Sequence, residues 1–154
     1  MAMSDRAIRE GLKACSWPGR LQIVGKAPHI VLDCAHAPAA AQALADSLRT
    51  YFRYERLFTV VGMNEDKDVA GFAQALAPLR PRLYLCRADL PRSLPVSDLK
   101  ARSLGLWQDA AGYDDVASAL WAALADAGPA DLVCVTGSVY VVGEAMSALG
   151  LDVV

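Results

Sequence analysis

Polar residues follow four apolar runs of the sequence, and their types suit the binding of anions. Lysine, arginine and the backbone amides that open a helix all bind carboxylates and phosphates. In open α/β sheets, ligands bind beyond the carboxyl ends of the strands, so polar groups at strand ends mark a candidate site. The four groups lie at residues 33–36 (DCAH), 64–68 (NEDKD), 87–92 (RADLPR) and 136–140 (TGSVY).

Each candidate residue also has an ordinary structural interpretation. Asp33 at a strand end can satisfy the amides of its own loop, and His36 before a helix is more often a surface residue. Ser138 is a common helix N-cap. Lys67 opens a helix, where a cation opposes the helix dipole, and this placement hints that an anion lies nearby.

The sequence carries no complete P-loop and no hydrolase or zinc motif. Residues 19–26 resemble a P-loop, but five residues separate the glycines where four are needed. Ala27 also stands where a Ser or Thr would hold magnesium. Ser138 lacks the G-x-S-x-G context of a hydrolase nucleophile. With two histidines and dispersed cysteines, we predict no metal site within this chain.

Short apolar runs alternate with amphipathic stretches, which predicts an α/β fold with a Rossmann-like, mostly parallel sheet and helices on both faces. In such a sheet the four polar groups meet at one edge. The predicted strands are 21–24, 29–33, 57–63, 83–86 and 132–136. The predicted helices are 5–15, 38–52, 68–79, a short one from 97, 114–127 and 138–149.

Composition limits the classes of function. The chain has 154 residues, 55% of them apolar and 21% charged, with a net charge of −2, so we expect one globular domain and no general nucleic-acid binding. The longest uncharged run, 132–143, is too short to cross a membrane. Four separated cysteines without a CxxC pair predict reduced thiols in a cytoplasmic protein. The chain is small for an enzyme that binds a nucleotide and two further substrates.

Five segments resemble the bacterial folylpolyglutamate synthase/dihydrofolate synthase family of the Mur ligase superfamily, and they occur along the chain in the same order as in that family. Residues 32–38 (LDCAHAP) are similar to its D-G-A-H-N-P, and 63–69 (MNEDKDV) to its D-K-D segment. Residues 89–92 (DLPR) are similar to D-N-P-R, and 135–140 (VTGSVY) to V-T-G-S-[LV]-Y. Residues 7–12 with 17–21 (AIREGL and WPGRL) resemble the end of the family's ATPase domain.

The resemblance covers only the C-terminal third of such an enzyme. Residues 1–17 are therefore expected to be an introduced start followed by the tail and linker of an ATPase domain, and 18–154 the glutamate ligase domain. The family uses ATP and Mg²⁺ to phosphorylate a carboxylate of dihydropteroate or folate, and L-glutamate then displaces the phosphate. The implied partner in cis is the ATPase domain, so we expect this chain alone to fold, bind no cofactor and be inactive.

The resemblance implies that ATP is bound by Arg20, Asp33 and His36. Arg20 would reach the phosphates from the linker, and the Asp33 carboxylate would accept a hydrogen bond from the ribose. His36 would line the nucleotide or glutamate side of the cleft. No residue of this chain is assigned a catalytic step.

The same resemblance implies that glutamate is bound by Lys67, Arg92 and Ser138. The two cations would hold its carboxylates, and Ser138 would contact glutamate or the reaction intermediate. Tyr140 is expected to be a packing residue beside this pocket.

Three positions depart from the family pattern. Cys34 replaces a glycine, Ala37 an asparagine that would cap the following helix, and Leu90 the asparagine of D-N-P-R. These changes leave two alternatives open: a non-catalytic module that binds a nucleotide or an amino acid, or a Mur-type ligase that uses another amino acid.

Overall fold

A computed structural model describes residues 3–151, which form a six-stranded sheet with helices on both faces. The strand order is β1-β2-β6-β3-β4-β5. The strands are β1 (Gln22–Lys26), β2 (His29–Leu32), β3 (Leu57–Val61), β4 (Arg82–Leu85), β5 (Ala111–Gly112) and β6 (Leu132–Thr136). The helices are α1 (Asp5–Ala14), α2 (Pro38–Tyr51), α3 (Val69–Leu76), α4 (Val96–Arg102), α5 (Val116–Asp126) and α6 (Val139–Ala148).

The sheet is parallel from β2 to β5, and only β1 runs antiparallel, paired with β2 across a short turn. This confirms the predicted fold class and places the carboxyl ends of β2, β6, β3 and β4 on one edge. The element limits differ slightly from the prediction. The helix expected at 68–79 ends at Leu76 and continues as a 3₁₀ turn, Ala77–Leu79, and β3 ends at Val61 rather than at 63.

Strand β5 was not predicted. It has only two residues, paired in parallel with Tyr84 and Leu85 of β4. Two residues are too few to produce a detectable apolar alternation, and both are exposed. None of the helices within residues 3–151 is both long and apolar enough to cross a membrane.

Two hydrophobic cores lie on opposite faces of the sheet. On one face α2, α3 and α4 pack around Leu44, Phe72 and Leu99. On the other face α5 and α6 pack around Leu120 and Val141. Strands β3 and β6 are buried along their whole length, which explains why they read as continuous apolar runs.

Two glycines let three strand ends approach backbone to backbone. A Cβ atom at Gly137, whose φ is +100°, would lie 2.5 Å from the carbonyl oxygen of Gly62. A Cβ atom at Gly62 would in turn lie 2.8 Å from the carbonyl oxygen of Cys86. The segments that follow β6, β3 and β4 therefore pass so close to one another that no side chain fits at Gly137 or Gly62.

Helix α1 differs from the other helices because none of its residues is buried. Its apolar side chains Ile8 and Leu12 lie one turn apart and are exposed, as is the nearby Trp17. Its hydrogen bonds are local: Ser4 caps the helix, and Arg6 pairs with Glu10.

We predict that Gly137→Ala destabilises the domain by about 2 kcal/mol or more, because alanine meets both an unfavourable φ and the Gly62 carbonyl oxygen. Gly143→Ala is the matched control, since Gly143 lies inside α6 with open space around its Cβ position. That change should stabilise the protein by about 0.5–1 kcal/mol. Urea unfolding of both variants measures the difference, and a neutral Gly137→Ala would contradict the close backbone contact.

Candidate functional site

A cavity of about 210 Å³ opens at the carboxyl edge of the sheet, between the loops that follow β2, β3, β4 and β6. It is smaller than the range of about 300–1,000 Å³ typical of drug-sized ligands, which suits a ligand the size of an amino acid. Four of the six predicted site residues line it. The lining residues are His36, Asn64, Lys67, Arg92, Gly137, Ser138, Val139 and Tyr140.

Lys67 lies in the turn before α3, and its ammonium group is paired with the preceding carboxylate. The distance from Lys67 Nζ to Asp66 Oδ2 is 2.7 Å. The hydrogen bond from Lys67, with the nearby charge of Arg92, lowers the pKa of Asp66. Asp68 caps α3 by accepting a hydrogen bond from Gly71 N at 2.9 Å. The Asp66 carboxylate thus offsets the unfavourable interaction between the Lys67 charge and the helix dipole.

Arg92 belongs to the loop that follows β4 and contacts Tyr140 of α6. Arg92 Nη2 donates a hydrogen bond to the Tyr140 hydroxyl at 3.2 Å, and its guanidinium carbon lies 5.4 Å from the ring centroid. The Arg92 carbonyl accepts from Glu65 N at 3.0 Å, which ties this loop to the one that carries Lys67. Tyr140 was expected to be a packing residue, but 40% of it is exposed and it holds Arg92 instead.

Ser138 is buried and caps α6, with its Oγ accepting a hydrogen bond from Tyr140 N at 3.2 Å. Ser138 therefore has the helix N-cap role that is common for serine at such a position. The first amides of a helix have no acceptor within the helix, so the start of α6 also offers donors to an anion in the cavity.

Asp33 lies outside the lining of the cavity and accepts hydrogen bonds from one amide of its own loop and one of the turn before β1. Its Oδ2 accepts from Leu21 N at 2.8 Å and its Oδ1 from Ala35 N at 2.9 Å. Each carboxylate oxygen of Asp33 can accept one more hydrogen bond, so the carboxylate can still bind a ligand.

His36 is exposed at the mouth of the cavity, and its Nδ1 lies 2.9 Å from the carbonyl oxygen of Cys34. A carbonyl only accepts, so Nδ1 carries the proton. In the neutral ring Nε2 is therefore an acceptor.

Arg20 is exposed and lies in the turn beside the loop of Asp33, outside the lining of the cavity. Its charge lowers the pKa of the Cys34 thiol, although burial has the larger effect and raises that pKa overall. The predicted ATP residues thus lie in the turn before β1 and in the loop after β2, and only His36 lines the cavity.

Asn64 is a cavity residue that sequence reasoning did not select. It is 5% exposed, and its Oδ1 has no hydrogen-bond partner within residues 3–151. A buried polar atom without a partner is costly, so this amide is available for a ligand. The signal was present in the sequence, because Asn64 is the first polar residue after the long apolar run of β3.

The three departures from the family pattern have different local settings. Cys34 is buried, and its φ is not positive, so this position tolerates a side chain. Ala37 occupies the N-cap of α2 without a side-chain hydrogen bond. Leu90 is half-buried and lines a different cavity, of about 530 Å³, on the far side of the Arg92 loop with Asp114 and Asp115.

No group of three or more His, Cys, Asp or Glu side chains within residues 3–151 is arranged to share a metal ion. We assign no step of the chemistry to a metal held by these residues.

A mostly parallel sheet with a cationic cavity at its carboxyl edge occurs in many α/β ligand-binding domains, and comparison with known proteins assigns this one to the Mur ligase family. The chain belongs to that family, since residues 19–139 match the one described as "Mur ligase, glutamate ligase domain". It is 34% identical to the dihydrofolate synthase/folylpolyglutamate synthase of Escherichia coli K12 over 149 residues, which are 97% of this chain and 34% of that protein.

Solved structures of similar proteins agree with this assignment. The bifunctional folylpolyglutamate synthase/dihydrofolate synthase of Yersinia pestis has a TM-score of 0.88 and 36% identity, covering 98% of this chain and 36% of that one. A bifunctional synthase with Mn, AMPPNP and L-glutamate bound also gives a TM-score of 0.88. The resemblance described from the motifs is therefore confirmed, and the chain spans about a third of the length of these relatives.

We predict that Ala37→Asn stabilises the domain by about 1 kcal/mol, because Ala37 has the extended backbone of an N-cap but no side-chain acceptor. Ala39→Asn, two residues into the same helix, is the control and should be neutral or destabilising. Chemical denaturation compares the two variants. An Ala37→Asn protein no more stable than the wild type would show that the missing cap is compensated elsewhere.

Proposed function

We propose that this chain is the C-terminal part of an ATP-dependent ligase that adds L-glutamate to dihydropteroate or a folate. The observation that carries the proposal is the cavity that brings Lys67, Arg92 and the start of α6 together. Glutamate has two carboxylates, and two cations with helix amides are matched to them. The bound L-glutamate of a structurally similar synthase supports this choice of ligand.

The reaction has two steps. The substrate carboxylate takes the γ-phosphoryl group of ATP and becomes an acyl phosphate, with ADP released. The amine nitrogen of glutamate then attacks the carbonyl carbon, a C–N bond forms, the C–O bond to phosphate breaks, and the amine gives up a proton. In this scheme Lys67 and Arg92 hold the carboxylates of glutamate, which fixes the direction of its amine.

The nucleotide is proposed to contact Arg20, Asp33 and His36 from the other side of the cleft. Arg20 supports this role by its exposure, and Asp33 by its remaining acceptor positions. ATP is held mainly by another domain in this proposal, and that domain also supplies the ligands of Mg²⁺.

Residues 1–17 are proposed to belong to the tail and linker of an ATPase domain, with 18–154 as the ligase domain. Helix α1 supports this division, because it has an exposed apolar face and no buried residue. The match to the family also begins only at residue 19. Packing of the Ile8 and Leu12 face against the preceding domain would bury both side chains.

A Mur-type ligase that uses another amino acid is the second candidate. It is favoured by the polar-to-apolar changes at Ala37 and Leu90, which stand in place of polar residues of the family motifs. A non-catalytic binding module is the third candidate, and the missing cap at Ala37 is its main support. We also propose a reducing cytoplasmic setting, which three buried, unpaired cysteines support.

The experiment that tests this function compares the 154-residue chain with the whole protein that contains it. The chain alone is expected to release no folate-dependent ADP, whereas the whole protein should release ADP that depends on both a folate and an amino acid, most strongly on L-glutamate. A different preferred amino acid would favour the second candidate, and no amino-acid dependence the binding module. Folate-dependent ADP release by the chain alone would refute the proposed division of the site.

Removal of either cation should weaken glutamate binding selectively. Lys67→Ala and Arg92→Ala in the whole protein are each expected to raise KM for glutamate by about 10- to 100-fold, the range for a hydrogen bond to a charged group, with little change in KM for ATP. Arg53→Ala, at the opposite end of β3, is the control. Equal changes in both KM values would remove the proposed role.

A further inference from the structure

Helix α6 directs two side chains, one turn apart, at the loop that carries Arg92. Tyr140 and Glu144 are separated by four residues, so they share a face of the helix. The Tyr140 hydroxyl accepts a hydrogen bond from Arg92 Nη2 at 3.2 Å, and Glu144 Oε1 accepts one from Asp89 N at 2.8 Å. Both ends of the loop, its first amide and its last side chain, are thus attached to the same helix.

The rest of the loop is held from other directions. The Arg92 carbonyl accepts from Glu65 N at 3.0 Å, and Ser93 Oγ accepts from Ala88 N at 3.1 Å. These bonds fix the backbone near the loop's ends but leave the guanidinium group free to rotate. Within the described residues, Tyr140 is the side chain that contacts this group directly.

Glu144 is placed at some energetic cost. Burial raises the pKa of its carboxyl group, against the opposing effect of the hydrogen bond from Asp89 N. The charges of Asp89 and Asp115 raise that pKa further.

An arginine that binds a ligand works best when its side chain is already in place. A free arginine loses much rotational freedom when it binds, and prior ordering removes that cost. Helix α6 carries Ser138 and the anion-binding amides at its start. Tyr140, in the first turn of α6, fixes Arg92 relative to those amides, and Glu144, one turn further on, fixes the start of the loop.

We propose that Tyr140 and Glu144 are positioning residues, which clamp the 89–92 loop to α6 and hold Arg92 in the amino-acid cavity. The ligand of that cavity rests on the proposed function, whereas the clamp itself does not. Neither residue touches the reacting atoms. Their contribution is expected in amino-acid binding and not in ATP binding.

The first arm of the test measures the clamp in the 154-residue chain without any activity. Glu144→Leu should increase the hydrogen-exchange rates of the amides of Asp89 and Leu90 by about two- to tenfold, the effect of one net hydrogen bond. The amides of β3 and β6 should be unchanged. Glu144→Gln keeps an acceptor oxygen and should restore most of the protection. Unchanged exchange in Glu144→Leu would overturn the clamp.

The second arm measures steady-state kinetics of the whole protein. Tyr140→Leu and Glu144→Leu should each raise KM for the amino acid by about two- to tenfold, with kcat and KM for ATP nearly unchanged. Tyr140→Phe, which keeps the ring but not the hydroxyl, should show a smaller increase. Ser147→Ala, on the same helix beyond the loop, is the control and should match the wild type.

The two experiments distinguish a failure of the proposed function from a failure of the proposed clamp. A wild-type protein with no amino-acid-dependent activity would refute the proposed function, and the exchange measurement would still decide the clamp. An active protein in which the leucine variants leave KM for the amino acid unchanged, or raise both KM values equally, would overturn the positioning role.

Discussion

The candidate site depends on one steric constraint, the contact between the backbone ends of β6, β3 and β4. Gly137 approaches the Gly62 carbonyl, and Gly62 approaches the Cys86 carbonyl, so closely that a Cβ atom fits at neither glycine. Because the three strands end in contact, the loops that follow them begin within a few ångströms of one another. Several of their polar side chains meet at the edge of the sheet and line the small cavity there.

The chemistry of the cavity follows from what those loops carry. Two cations, the start of a helix and Asn64, whose Oδ1 has no hydrogen-bond partner within residues 3–151, surround a volume suited to an amino acid. The cations differ in their setting, since Lys67 is already paired with Asp66, whereas Arg92 rests on the neutral Tyr140. Arg92 is therefore the cation with the more available charge, and its position is set by α6. One short helix thus supplies both the amides and the support for the arginine.

The sequence predicted the sheet well because apolar periodicity reports burial, and β3 and β6 are buried throughout. It could not reveal β5, which is too short and too exposed to leave a pattern. At the site, strand ends identified the right loops, and four of six selected residues line the cavity. The contact of Tyr140 with Arg92 joins segments far apart in the chain, which spacing along the chain does not encode. Asp33 is a further case, since one of its hydrogen bonds joins its loop to the turn before β1.

The central claim is that the amino acid binds in the cavity between Arg92 and the start of α6. The most direct measurement is a crystal structure of the whole protein with L-glutamate and a non-hydrolysable ATP analogue. We predict density for glutamate with its carboxylates at Lys67, Arg92 and the first amides of α6. Density for glutamate on the far side of the 89–92 loop, in the cavity lined by Asp114 and Asp115, with the smaller cavity empty, would contradict the account.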